Sequence, residues 1–287
     1  MTKISTTIFK APVFFGLCLV SSLLMSCKGE IKETEIDEEI TTDTLSSATR
    51  SGLQGISVNI PSPIKVTGEI AGAGILFNKS IVNPTSKVSS YATNYQKALN
   101  LGVYGTDLGY LTGFKQMQDA MEYIVTVKKL AEDVGVSSAY DEAAIKRIVE
   151  NLSKEDSISE TKDLIDDAYL KAERNLRSQQ RVEIAGLVVT GGWVEGLYVA
   201  TQAIGTSPRD EKSENLYSRV WDQAYSFRYV SELLNENQKN PDFAKLIEEL
   251  KDVQILCKQL EYKPKMNNAD VLLLKDKITV VRNKITG

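Results

Sequence analysis

Two acidic residues, each in an apolar run that contains several glycines, are the strongest candidates for chemistry in this sequence. Asp107 lies between Gly105 and Gly109, and tyrosines stand three residues before and after it, at Tyr104 and Tyr110. On a helix this spacing places both tyrosines on the face that carries the acid. Because a buried, unpaired carboxylate is costly, Asp107 is expected to be hydrogen-bonded, paired with a base or protonated.

Glu195 occupies a similar position in the second run. It lies between Gly192 and Gly196, with Tyr198 three residues and Gln202 seven residues further on. If the two runs pack together, their acids and tyrosines form one polar cluster, which could perform general acid–base chemistry or bind a hard cation such as Ca²⁺. The alternative is a structural cluster, in which each acid satisfies a tyrosine hydroxyl or a free backbone N–H. We favour this structural role, and the pattern identifies neither a catalytic residue nor a metal ligand.

Small residues at four-residue intervals form a smooth ridge along each run, where another backbone can approach closely. The members of the two ridges, related by a common offset, are Gly105, Gly109 and Gly113 in the first and Gly192, Gly196 and Ala200 in the second. The common offset suggests an internal duplication, and chance among 18 glycines is the alternative. Under this offset Asp107 aligns with Val194 rather than with Glu195, which argues against a symmetric pair of carboxylates. We expect the two ridges to pack against each other.

The elements that position these acids are predicted to be helices. The run 184–202 is apolar on nearly every side, as in a helix buried in a core or in lipid. Glu195, in the middle of this run, favours the core. From Val88 onward, apolar residues recur at helical spacing and no alternating strand pattern stands out. The sequence therefore predicts an all-α fold, a single helical bundle-like domain of about eight to nine helices over residues 56–287.

The N-terminus resembles a bacterial lipoprotein leader. Residues 1–26 carry two lysines and then an apolar run, as secretory signal peptides do. The run Leu24-Met25-Ser26-Cys27 resembles a lipobox, in which Cys27 becomes the lipidated residue, and several acyl chains make such an anchor stable. Residues 27–55 are acidic and then rich in Thr and Ser, which is typical of a flexible tether. Lys28 stands where an aspartate would retain the protein in the inner membrane, so we expect the outer membrane, with the domain facing the periplasm or the cell surface.

Composition excludes several classes of function. The chain has no histidine, which removes histidine-based catalytic triads and histidine metal sites. Its net charge of −4, without a basic block, argues against nucleic acid as a partner. After removal of the leader and lipidation of Cys27, Cys257 is the remaining thiol, and its apolar helical stripe favours core packing over reactivity. No phosphate loop or EF-hand spacing is present, so no cofactor is expected.

Three runs, IPSP, ALNLGVYGTDLGYL and GGWVEGLYVATQ, resemble a family of Bacteroidetes outer-membrane lipoproteins that share them in this order. The resemblance covers roughly residues 60–205 well and the C-terminal helices loosely. It implies a lipoprotein location and a helical fold. Because the family has no established activity, the resemblance transfers no catalytic residue.

Together these features predict a lipid-anchored, non-enzymatic binding or interaction module, with the membrane as a partner through Cys27 and an envelope protein or a glycan as a further partner. The alternative is a small-ligand or glycan binder with a pocket between the Gly105–Gly113 and Gly192–Ala200 helices. A carboxylate-based hydrolase is the least favoured function. Four aromatic residues could line a ligand groove, although helical spacing favours the core for them: Trp193, Trp221, Tyr225 and Tyr229.

Overall fold

The computed structural model describes Val66 and residues 70–287, with gaps at 153, 155–157, 180, 206–208, 212 and 264. All of these residues belong to one compact unit. The predicted signal peptide, the lipidated Cys27 and the predicted tether lie outside the described residues. Nothing in the structure therefore tests these three predictions.

Eight α-helices have both ends within the described residues. In chain order they are α1 (Asn94–Gly113), α2 (Met117–Asp133), α3 (Glu142–Leu152), α4 (Ile158–Ser178), α5 (Val182–Ile204), α6 (Glu214–Glu236), α7 (Pro241–Glu261) and α8 (Asn268–Thr286). Short 3-10 helices span Lys79–Ile81, Thr85–Ser90 and Ser137–Tyr140. The described part of the chain contains no β-strand, and the prediction of an all-α fold is confirmed.

Helix ends follow local capping chemistry. The side chain of Asn240 accepts a hydrogen bond from the backbone N–H of Asp242, and Pro241 occupies the first turn of α7, where its missing N–H does no harm. Asn267 and Asp270 form a reciprocal capping box at the start of α8. These caps fix where α7 and α8 begin, and so fix which residues of α8 face the core.

The centre of the fold is α5. Although α5 is long and apolar enough to cross a membrane, 94% of its most apolar window is buried inside the fold. It packs against α1, α4, α6 and α8. The prediction that this run is a buried core helix is confirmed, and Glu195 is carried into the interior with it.

The helices α1 and α5 are in backbone contact where they cross. A Cβ atom added at Gly102 would lie 2.0 Å from the carbonyl oxygen of Val188 and 2.5 Å from the backbone nitrogen of Gly192. A Cβ atom added at Gly191 would lie 1.9 Å from the carbonyl oxygen of Leu99. Only glycine fits at Gly102 and Gly191, and their contact brings the two acid-bearing helices together.

The two ridges of small residues do not make all the contacts with each other that were predicted for them. A Cβ atom at Gly105 would meet nothing within 4 Å, and one at Gly196 would face the side chain of Gln223 on α6 rather than α1. Gly109 and Ala200 are buried, whereas Gly113 is half-exposed. The cause is that a helix surrounded on all sides has several contact faces, and glycine spacing alone does not specify which face meets which neighbour.

Candidate functional site

Asp107 and Glu195 lie together in the interior, where a third charged residue joins them. Arg282 of α8 donates from Nε to one oxygen of Glu195 at 3.0 Å and from Nη2 to the other at 3.2 Å. Both acids are 0% exposed and Arg282 is 6% exposed. We call these three residues the acid–arginine cluster, and it joins α1, α5 and α8.

The surroundings of Asp107 favour its protonated form. Burial raises the pKa of Asp107 well above its usual value, and the charge of Glu195 raises it further, against the opposing effects of Arg282 and the Asn83 N–H. One oxygen of Asp107 accepts the backbone N–H of Asn83 at 2.9 Å, while the other faces no donor group. With a proton on Asp107, the interaction between its carboxyl group and that of Glu195 becomes favourable. The cluster then contains one carboxylic acid, one carboxylate and one guanidinium, so no net charge is buried.

The pKa of Arg282 is raised, as an ion pair with Glu195 requires. Burial alone would lower it, but the charge and hydrogen bonds of Glu195 outweigh burial and raise it overall. The guanidinium also lies over the ring of Tyr198, 4.7 Å from the ring centroid. Arg282 is therefore a permanent cation with partners on several sides.

The cluster and its tyrosines satisfy the backbone of residues 78–84, which precede α1. We call this stretch the irregular segment, because it contains no α-helix and only one turn of 3-10 helix, Lys79–Ile81. Ile81, Val82 and Asn83 of this segment are buried. Two backbone N–H groups of the segment donate to core side chains: Asn78 to the Tyr110 hydroxyl at 3.1 Å and Asn83 to the Asp107 carboxyl at 2.9 Å. Three backbone carbonyls accept from core side chains: Asn83 from Tyr123 at 2.7 Å, Pro84 from Tyr104 at 2.8 Å and Ile81 from Arg282 at 3.2 Å. Because buried backbone groups need partners, these side chains allow a segment without an α-helix to enter the core.

The structure thus places most of the predicted cluster residues around one region, in different roles. Tyr104 and Tyr110 bind the irregular segment rather than Asp107, and burial raises the pKa of both. Tyr198 contacts Arg282. Gln202 bonds Thr279 of α8 at 3.1 Å and so connects α5 to α8 beside the cluster.

Sequence reasoning missed Arg282 and Asn83. Arg282 stands on the core-facing stripe of α8 among Ile278, Val281 and Ile285, all of which are buried. A single cation on an otherwise apolar helix stripe was the signal that could have identified it as the partner of a buried acid. Asn83, directly before a proline in a non-helical stretch, gave no comparable signal.

No protein-family model, curated protein or solved structure matches this chain. The chemistry open to the cluster follows from its own geometry. A general acid or base must come within hydrogen-bond reach of its substrate, whereas Asp107 and Glu195 are 0% exposed and already bound to protein groups. Within the described residues, no group of three His, Cys, Asp or Glu side chains could hold a metal ion. The geometry favours a structural role for both acids.

The pocket predicted between α1 and α5 does not lie where the two helices cross. The backbones touch at Gly102 and Gly191, which leaves no room for a ligand where the helices cross. The crossing is filled by the chain itself because the glycines permit direct backbone contact.

The aromatic residue on α5 is more deeply buried than those on α6. Trp193 lies in the core, where its indole N–H donates to the carbonyl of Gln223 and to the hydroxyl of Ser226, both at 3.0 Å. Trp221 and Tyr225 are half-exposed and stack on each other, with ring centroids 5.1 Å apart and an interplanar angle of 13°. Trp221 nevertheless packs against the core, and its indole N–H donates to the Leu260 carbonyl of α7 at 3.1 Å. The core prediction is therefore correct for Trp193, correct in part for Trp221 and wrong for Tyr225.

An arginine extends this aromatic surface. The guanidinium of Arg228 lies 4.1 Å from the ring centroid of Tyr225 and 4.6 Å from that of Tyr229, and it donates to both tyrosine hydroxyls. We call Trp221, Tyr225, Arg228 and Tyr229 the α6 surface. It is a prearranged group of large side chains, because each member is held by its neighbours.

Proposed function

We propose that this protein is a lipid-anchored, non-enzymatic binding module of the outer membrane. The acylated Cys27 anchors it, residues 27–55 tether it, and the helical domain binds an envelope component. The lipobox at Leu24–Cys27 and the charge and composition of the tether support the anchor. The resemblance to Bacteroidetes lipoproteins is consistent with the same location.

The observation that carries the non-enzymatic part is the condition of the two buried acids. They were the strongest candidates for chemistry in the sequence, and both are enclosed and bound to Arg282 or to the backbone of Asn83. An acid that stabilises the fold through fixed partners is not available to a substrate. The carboxylate-based hydrolase loses its main support.

The α6 surface supports the binding part. Trp, Tyr and Arg are the residue types that most often dominate binding energy at protein surfaces. On α6 the guanidinium of Arg228 is already fixed between two tyrosines, so little conformational entropy would be lost on binding.

Two comparisons test this proposal on the full chain. Expressed with a radiolabelled fatty acid, the native protein should carry label and sediment with outer membranes, and Cys27→Ser should lose both properties. Cross-linking in cells should then recover an envelope component that Tyr225→Ala loses and that Tyr262→Ala retains, since Tyr262 is 87% exposed and lies outside the α6 surface. An unlabelled native protein would contradict the anchor, and equal recovery by both tyrosine variants would contradict the binding surface.

A further inference from the structure

A groove lies between α6 and α7, directly beside the α6 surface. It has a volume of about 290 Å³, close to the lower limit of small-ligand sites at about 300 Å³. Its lining residues recur at helical spacing on both helices: Phe227, Arg228, Ser231, Glu232 and Asn235 on α6, and Gln254, Cys257, Lys258 and Glu261 on α7. Phe227 and Cys257 are buried and form an apolar floor, whereas the walls are polar.

Two amides in the groove are held in place by one hydroxyl. The side-chain oxygen of Ser231 accepts a hydrogen bond from Gln254 at 2.8 Å and from Asn235 at 3.3 Å. Each amide group has two N–H donors and a carbonyl acceptor, so each keeps a donor and an acceptor for a ligand. The groove therefore offers donors and acceptors in pairs, fixed by Ser231.

The charges that line the groove are balanced. Arg228 and Lys258 contribute two positive charges, and Glu232 and Glu261 contribute two negative charges. Arg228 is further engaged by the rings and hydroxyls of two tyrosines. An anionic ligand would approach two carboxylates together with one uncommitted cation. The charge balance therefore favours a neutral ligand.

The groove continues into the aromatic pair of the α6 surface. Asn235, Glu232, Arg228, Tyr225 and Trp221 follow one another at three- or four-residue intervals, which places them along one face of α6. With a rise of 1.5 Å per residue, this face is about 21 Å long. A ligand that leaves the groove past Arg228 would meet the half-exposed rings of Tyr225 and Trp221.

We propose, building on the binding module above, that the α6–α7 groove and its aromatic end bind a neutral saccharide. Sugar hydroxyls both donate and accept hydrogen bonds, as do the two amides that Ser231 orients. Tyr225 and Trp221 stack on each other and Arg228 lies over Tyr225, so the half-exposed edges of the two rings are the parts that contact the apolar C–H groups of a sugar.

A peptide fits this groove less well. A helical peptide would need a row of apolar pockets, but the apolar groups in this groove are confined to the floor. An extended peptide would need an open strand edge, and the described residues contain no strand.

The test is ligand-observed saturation-transfer NMR on the detergent-solubilised full chain. The probes are neutral gluco-, manno-, galacto- and N-acetylglucosamine oligosaccharides, with a glucuronic acid disaccharide as the anionic comparison. At least one neutral probe should bind with a Kd in the millimolar range or tighter, and the anionic probe should bind more weakly. Asn235→Ala and Tyr225→Ala should each weaken binding at least about tenfold, or about 1.4 kcal/mol. Tyr262→Ala, a matched exposed tyrosine, should not.

Circular dichroism at each variant's assay temperature separates loss of binding from loss of fold. Asn235 and Tyr225 contribute to the surface rather than the core, and both variants should keep the native helical signal. Saccharide binding that survives both substitutions would overturn the site, and preference for the anionic probe would overturn the ligand class. If no neutral probe binds while cross-linking still shows an envelope partner that depends on Tyr225, the saccharide proposal fails and the binding module stands. If the cross-linking comparison also fails, both are refuted.

Discussion

Two glycines one helical turn apart on α1 should respond in opposite ways to the same substitution. Gly102 meets the backbone of α5, and Gly105 faces open space. We therefore predict that Gly102→Ala destabilises the protein and that Gly105→Ala stabilises it. The added methyl group and the helix are the same in both variants, so each serves as the control for the other.

The magnitudes follow from the contact distances. At Gly102 the new Cβ atom would be 2.0 Å from the Val188 carbonyl oxygen, where ordinary contact begins near 3.4 Å, so α1 and α5 would have to separate by more than 1 Å. Overpacking in a dense core costs about 1–3 kcal/mol and sometimes more, and two touching backbones place this site at about 3 kcal/mol or above. Gly105→Ala removes the glycine penalty in a helix without a clash, a gain of about 1 kcal/mol. The two variants should therefore differ by about 4 kcal/mol.

The assay is urea unfolding followed by circular dichroism, with thermal melts for comparison. In a domain of this size, 1 kcal/mol corresponds to about 2–4 °C in Tm, so the melts should be separated by about 8–16 °C. A Gly102→Ala variant as stable as the native protein would show that α1 and α5 do not cross at Gly102. A Gly105→Ala variant that loses more than about 1 kcal/mol would show that Gly105 is packed against a neighbour, as the predicted ridge required.

Two further predictions concern the acid–arginine cluster. Arg282→Met should lower the free energy of unfolding by about 3–5 kcal/mol, because it removes one partner of a buried ion pair and leaves Glu195 without its guanidinium. Arg219→Met, at an exposed pair with Asp222, should cost less than about 1 kcal/mol, and equal losses in urea unfolding would contradict a buried ion pair. The second prediction is a pH dependence. The pKa of Asp107 is raised in the folded state, so its protonation in the folded protein stabilises the fold. This stabilisation is complete below the ordinary Asp pKa of about 4. It is lost as pH rises toward the pKa that Asp107 has in the folded protein, by about 1.4 kcal/mol per pH unit. Asp107→Asn removes this titration, so the difference in free energy of unfolding between the variant and the native protein should shrink as pH rises from about 4. Urea unfolding that gives the same difference at every pH would contradict a protonated Asp107.

The fold was largely predictable because its signals are local. Helical spacing of apolar residues identified the helices from Val88 onward, and caps such as Asn240 fixed their starts. The burial of α5 followed from its apolar composition together with a single acid in its middle. Each of these inferences needed only residues within a few turns of one another.

The candidate site was predictable only in part because its remaining members are distant in sequence. The sequence could predict that Asp107 and Glu195 lie near each other, because each shares its helix with glycines that allow close packing. Arg282 comes from the last helix, and its carboxylate partner could not be read from the spacing within α8. The register of the glycine contacts was missed for a related reason, since the neighbour of a buried face is set by the whole fold.

The irregular segment 78–84 explains why the core keeps three ionisable side chains. A buried ion pair can often be replaced by apolar residues without loss of stability, so its presence needs a specific cause. Here that cause is the backbone of the segment, whose Asn83 N–H and Ile81 carbonyl are bonded by Asp107 and Arg282. Glu195 in turn holds Arg282 in position through two hydrogen bonds. Apolar residues at all three positions would leave those backbone groups buried without partners, at a cost of about 1–3 kcal/mol each. The three ionisable side chains and the buried segment therefore depend on each other, because Asp107 and Arg282 supply the hydrogen-bond partners that the segment's backbone needs in the core.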